Sequence, residues 1–156
     1  MRLNNKQIII LLIVIVLASL GLRIHQTFFT PEPEIINTLL IKDQLIKIEL
    51  AGTPAKQILG LSNRANLAQD SGMLFIFNDL VVRNFWMKDM LIPIDIIWIN
   101  NDKVVGIEKN ASIPTATNTP IFRSSEAVNL VLEVNAGYAN KHNIKIGDNI
   151  YFNVQK

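Results

Sequence analysis

Asp95 is the one polar side chain in the run from Leu91 to Ile99. A carboxylate in so apolar a setting is costly to bury, so it must be paired, hydrogen-bonded or protonated. The cations nearest in sequence are Lys88 and Arg83. Trp86, Lys88, Asp89 and Asp95 form a first candidate ligand site. In that reading an indole face packs against the C–H surface of a sugar or similar ligand while charged groups bind hydroxyls. The structural alternative makes Trp86 and Trp98 core residues and Asp95 an acceptor for a turn or for Lys88. A second candidate is a carboxylate group, Glu108 with Glu133 and with Asp95, suited to acid–base hydrolysis or a hard metal. Glu108 and Glu133 fall on expected strands, where an outward, solvated glutamate is ordinary. Arg123, in a Ser/Thr-rich loop, could meet an anion.

Other chemistries find little support. The chain has no cysteine, which removes disulfides, thiol nucleophiles and zinc–thiolate sites. His25 and His142 lie far apart and show no ligand spacing, so no metal or cofactor is expected. His142 instead suits the C-terminus of a helix. No nucleophile elbow, P-loop or dinucleotide fingerprint occurs. The net charge of +2 comes without a basic stripe, which argues against nucleic acid as a partner.

The elements that must position these residues can be read from periodicity and punctuation. Ile94, Ile96, Ile97 and Ile99 predict a strand covered on both faces, with Pro93 at its start or on an edge. Gln44 to Leu50 alternates as a half-buried strand. Thr53-Pro54 starts a helix that ends at Gly60. Met73 to Phe77 is a strand, with a loop from Asn78-Asp79, and Asn84 to Met87 is the next strand. Asn100-Asn101-Asp102 turns the chain into a strand from Lys103 to Lys109. A long loop spans Asn110 to Ser125. The strand Asn129 to Val134 leads to a helix capped by Asn135 and ended by Asn143. Gly147-Asp148 turns into a last strand, Asn149 to Val154. The sum is a mainly β fold of α+β type: a small, mostly antiparallel barrel or rolled sheet with two short helices.

Five segments occur in a telling order: Gly72-Met-Leu-Phe-Ile-Phe77, Phe85-Trp-Met-Lys88, Ile92-Pro-Ile-Asp95, Val131-Leu-Glu-Val-Asn-Ala-Gly137 and Ile146-Gly-Asp148. From about Leu45 to Val154 the chain resembles the family called domain of unknown function 192. The resemblance implies a small β-rich domain, often behind a signal or anchor segment, with no established activity and no assigned site residues. The chain departs from that pattern at Asp89, where Asn or Gly is usual, and at Lys56, where an acidic residue is common. Ala127 and Leu130 replace a usual Pro and Tyr.

The N-terminus adds location. Arg2 and Lys6 precede an apolar run from Ile8 to Leu22, which would be roughly 22 Å long as a helix. That is short for a span, but Arg23 can snorkel. No small-x-small cleavage site is evident. Residues 1–24 are therefore expected to be an uncleaved signal anchor, with a cleaved signal peptide as the alternative. Residues 25–43, with Pro31 and Pro33, are expected to be a tether, and residues 44–156 the globular domain. The positive N-terminus predicts a single pass through the cytoplasmic membrane by residues 8–22, with the domain outside. If cleaved, the domain would be exported. The expected function is a membrane-anchored, extracytoplasmic, non-enzymatic binding or interaction domain for an envelope polysaccharide or protein. The rivals are a carboxylate-dependent hydrolase and a structural or assembly factor of the envelope.

Overall fold

The computed structural model describes residues 37–153 together with Lys6, Ile9, Leu12 and Val16. The chain divides into two units, Met1–Ile35 and Ile36–Lys156. In the first, the four described residues are helical and exposed. The expected span of residues 8–22 otherwise lies outside the described residues, as does His25. No described helix is long and apolar enough to cross a membrane.

The second unit is mainly β. Among the described residues nine strands run in chain order: β1 (Thr38–Ile41), β2 (Gln44–Ala51), β3 (Ser71–Val81), β4 (Asn84–Trp86), β5 (Ile94–Asn100), β6 (Lys103–Ala111), β7 (Ile121–Arg123), β8 (Val128–Asn135) and β9 (Ile150–Asn153). Helix α1 (Pro54–Leu59) links β2 to β3, and helix α2 (Tyr138–Lys141) follows β8. Seven strands form one curled sheet in the order β6-β5-β8-β3-β2-β1-β9, and β4 pairs with β7 in a separate ribbon. Each neighbouring pair in the large sheet is antiparallel except β2–β3. Parallel strands need a crossover, and the segment carrying α1 supplies it.

The curl is a half-barrel whose two edges meet at one end. Lys103 of β6 bridges Asn149, just before β9. The Val104 amide donates to the Asp148 carbonyl at 2.9 Å, and the Ile150 amide donates to the Asp102 carbonyl at 2.7 Å. Two apolar cores lie on the two faces. One gathers residues from both sheet edges, among them Ile41, Ile99, Val104 and Ile150, with Tyr138 and Ala139 of α2. The other packs Met73, Phe75, Ile96 and Trp98 beneath Met87 and Met90. Strand β5 lies between the two and is buried from Ile94 to Ile99, as its β-branched run predicts.

The structure corrects several expectations. Strand β1 belongs to the sheet, where it pairs with β2 and β9 through alternating buried Leu39 and Ile41. The domain therefore begins within the stretch read as tether. Strand β3 continues through Asn78-Asp79 to Val81, which pairs with Val128 after a register shift. The long loop is shorter than expected, because β6 runs to Ala111 and β7 arises inside it to pair with β4. Asn135 does not cap α2. It ends β8, and its side-chain Nδ2 donates to the Leu67 and Ala68 carbonyls at 3.1 and 3.0 Å. Gly137, with φ +82, turns the chain into the helix. By contrast Thr53, Pro54 and Gly60 bound α1 as their chemistry predicts.

Candidate functional site

Asp95 is fully buried, and its carboxylate is consumed by the backbone. Between Ile94 and Ile96 the β5–β6 register shifts, leaving an extra residue on β6. Asn110 there adopts φ +53. Its amide donates to Asp95 Oδ1 at 2.8 Å, the Gly137 amide donates to the same oxygen at 3.0 Å, and the Ala139 amide donates to Oδ2 at 2.9 Å. A bulge leaves an amide without its ladder partner, and a helix start leaves several more. Asp95 satisfies both, so it holds α2 against the sheet.

Strand register separates the carboxylates. Glu133 stands opposite Ile96 of β5 and Met73 of β3, and Glu108 stands opposite Ile96 from the other side. Directly opposed residues share a face, so Glu108 and Glu133 lie on one face. Asp95, the neighbour of Ile96, lies on the other. The three-carboxylate group is therefore split. Glu108 and Glu133 are separated by a strand, roughly 10 Å between backbones, and Glu133 lines a cavity that neither Glu108 nor Asp95 borders.

That cavity is a cleft of about 480 Å³ above the second core. One wall is α1 and the residues after it, including Gln57, Ile58 and Leu59. The other is the end of β3 and β4, with Phe77, Phe85 and Trp86. Glu133 reaches it from β8. Helix α1 buries no side chain of its own, and Ile58 and Leu59 stay exposed, as do Val82 and Trp86. Gln57 anchors the helix by donating to the Ile76 carbonyl at 2.8 Å. The opposite wall is built of ring edges: Phe85 meets Phe75 at 4.9 Å and Trp98 at 5.4 Å between centroids, both T-shaped.

Glu133 is 5% exposed, and its Oε2 has no hydrogen-bond partner. Burial pushes its carboxyl up to about 8, with Arg64 offsetting this only in part. Arg64 is engaged elsewhere: its guanidinium grips Glu49 in a two-pronged pair, with Nη2 donating to Oε2 at 2.7 Å. That bond holds the Glu49 carboxyl below its ordinary value. At neutral pH Glu133 is thus mostly a neutral acid.

Trp86 is 52% exposed, and Trp98 alone is core. Trp86 also borders a second depression of about 480 Å³, with Lys88, Asp89, Pro114, Thr115 and Thr119. Lys88 Nζ lies 5.6 Å from the Trp86 ring centroid and so does not reach Asp95 as its partner. Asp89 has φ +57, a conformation that Asn and Gly adopt more readily. Arg123 shares the outer face of the β4–β7 ribbon with Trp86 but borders neither depression. The structure thus brings Trp86, Lys88 and Asp89 together and leaves Asp95 and Arg123 apart. His142 closes α2, its ring 4.2 Å from that of Tyr138 between centroids and tilted by 38°. No group of His, Asp and Glu suited to a metal occurs among the described residues. Sequence reasoning missed the α1 wall. Its one signal was the pair Ile58-Leu59 at the end of a helix too short to bury them.

Comparison with known proteins agrees with the fold. The family model DUF192, described as an uncharacterised ACR, matches residues 37–152. Two crystal structures align with TM-scores of 0.67. One is a candidate transcription regulator from Sinorhizobium meliloti 1021, 30% identical, covering 74% of this chain and 91% of its own. The other is a protein of unknown function from Novosphingobium aromaticivorans, 32% identical, covering 74% of this chain and 83% of its own. No curated protein matches.

Proposed function

The chain belongs to the family called domain of unknown function 192, and from that premise we propose that its domain is a binding module for an extended saccharide ligand. The observation that carries this reading is Trp86, half-exposed and shared as a wall by two depressions. A chain-like ligand can lay one unit on each side of the indole. Sugars offer C–H faces to such a ring, while Lys88, Asp89 and Thr115 offer partners for hydroxyls. The apolar run at residues 8–22 supports a cytoplasmic-membrane anchor with the domain outside, where an envelope polysaccharide would be the ligand. A hydrolase is the weaker reading, because one carboxylate alone lines the cleft. The regulator description of one relative does not carry over, given a net charge of only +2 and no basic stripe.

A protein partner is the second reading. Leu80, Val81, Val82, Ile58, Leu59 and Ile121 are all exposed, and apolar surface of that kind often marks an interface. The test is titration of the full-length chain with envelope oligosaccharides, followed by tryptophan fluorescence. Trp98 is buried, so a change reports Trp86. Saturable binding is expected, and calorimetry, which needs no indole, should show it abolished in a Trp86→Ala variant that still folds. No response to any saccharide would move the assignment to the protein partner.

A further inference from the structure

Glu133 is a buried carboxyl that borders the cleft, with one oxygen left without a partner. Groups of this kind carry a desolvation cost that something must offset. Among the described residues only Arg64 does so, and only in part. On the sheet row that contains it, Met73 and Ile96 are its neighbours and Glu49 and Glu108 lie beyond them. Arg64, the cation that acts on it, is held by Glu49. Arg83, on the cleft wall, is held by Asp79 and by the Asp79 and Val128 carbonyls. Lys88 borders the other depression and not this one. Asp95 is on the opposite face of the sheet.

The aromatic wall shows what it attracts. The Arg83 guanidinium carbon sits 3.5 Å from the centroid of the Phe77 ring, and Lys88 Nζ faces Trp86. Ring faces draw cations through their quadrupole. Glu133 lines the cleft together with Phe77, Phe85 and Trp86, and the cleft's own cation, Arg83, is engaged by Asp79 and by backbone carbonyls, so a cation free to meet the carboxyl has to come from a ligand.

We infer that the cleft floor is an ammonium site: a ligand with a protonated amine places it against the Glu133 carboxylate, flanked by Phe85 and Trp86. Binding is non-covalent, and it drives the Glu133 proton out to solvent. The inference deepens the saccharide reading, since it specifies an amine-bearing unit in one of the two depressions. It also stands on the cleft alone.

The probes are benzylammonium and its neutral counterpart benzyl alcohol, titrated into the full-length chain by calorimetry. From about pH 6 to about pH 8 an alkylammonium keeps its charge, while Glu133 passes from acid toward carboxylate. Benzylammonium is expected to bind at least about tenfold more tightly than the alcohol at the upper pH. Its affinity should rise across that range, while that of the alcohol stays flat. Near the lower pH, buffers of different ionisation heat should report close to one proton released per benzylammonium bound. Glu133→Gln should erase the difference between the probes while the alcohol still binds. Equal affinities, affinity that falls as pH rises, or no binding of either probe each overturns the inference. Falling affinity would mark Glu133 as a donor to a neutral acceptor. The proton count uses the wild-type chain, so it decides the matter even if the variant fails to fold. Oligosaccharide binding lost with ammonium selectivity intact would sink the saccharide reading and leave this one standing.

Discussion

At the scale of single residues, two buried carboxyls on neighbouring strands have opposite fates. Asp95 is surrounded by backbone amides, and Glu133 by apolar side chains. An ionised Glu133 is therefore the costlier state. Its ordinary value is 4.5 and its folded value about 8, so between these the folded chain keeps a proton that the unfolded chain has lost. Stability should fall as pH rises through that window, by up to about 5 kcal/mol in total. Glu133→Gln should flatten the profile and leave the protein more stable than wild type above about pH 8. Urea titrations at stepped pH give both curves. Asp95→Ala should cost more than about 3 kcal/mol at neutral pH, since three donors lose a charged acceptor in the interior. Asp95→Asn should cost less, because one acceptor oxygen remains. The sequence could show that Asp95 needed partners. It could not show that they are amides of residues 110, 137 and 139, because bulges and helix starts are set by register. Glu133 gave no warning either. Its neighbours Leu132 and Val134 fit a strand with an outward glutamate, and only the packing of Leu61, Met87 and Met90 over Met73 and Ile96 makes that face an interior.

At the scale of elements, the crossover between β2 and β3 builds the cleft, and strand pairing beside Glu133 sets its floor. Gly72 pairs with Val134, and a β-carbon added there would lie 2.6 Å from the Glu133 carbonyl oxygen. That neighbour is backbone and cannot swing aside. Gly72→Ala should therefore push β3 from β8 and destabilise the domain by about 2 kcal/mol or more. The same change should weaken any ligand of the cleft, and denaturation together with probe titration checks both. Elements with local signals were legible: the capped start of α1, the alternation of β2 and the isoleucine-rich β5. Those that depend on a distant partner were not. The three residues of β7 are a strand because β4 lies beside them. The extension of β3 past Asn78-Asp79 exists because Val128 receives Val81.

At the scale of the whole domain, an open sheet would leave β6 and β9 as exposed edges, which invite pairing with other chains. Here one end is closed by the turn at Lys145–Asp148. Gly147, with φ +96, makes that turn, and its amide donates to the Val104 carbonyl at 2.8 Å. Space around it is open, so Gly147→Ala adds no clash and costs only backbone strain, about 1 to 2 kcal/mol. The expected result is faster hydrogen exchange at the Val104 and Ile150 amides, with the interior pairs of β5 and β8 unaffected. Uniform acceleration across the sheet would show that closure and core open as one unit. Membership of a mainly β family was readable from five short segments, but the meeting of the two edges was not, because curl is a property of all strands at once.

The three bonds of Asp95 span 15, 42 and 44 residues of chain. The first needs β6 to turn back along β5, and the other two wait until α2 has followed β8 into place. Contacts of such reach are expected to be absent at the main folding barrier and to appear only on the downhill side. Weakening the carboxylate, as in Asp95→Asn, should then speed unfolding far more than it slows refolding, which stopped-flow rates in denaturant can separate. Asp95 in that case has little say in how fast the domain is made, and a large one in how long each folded copy lasts.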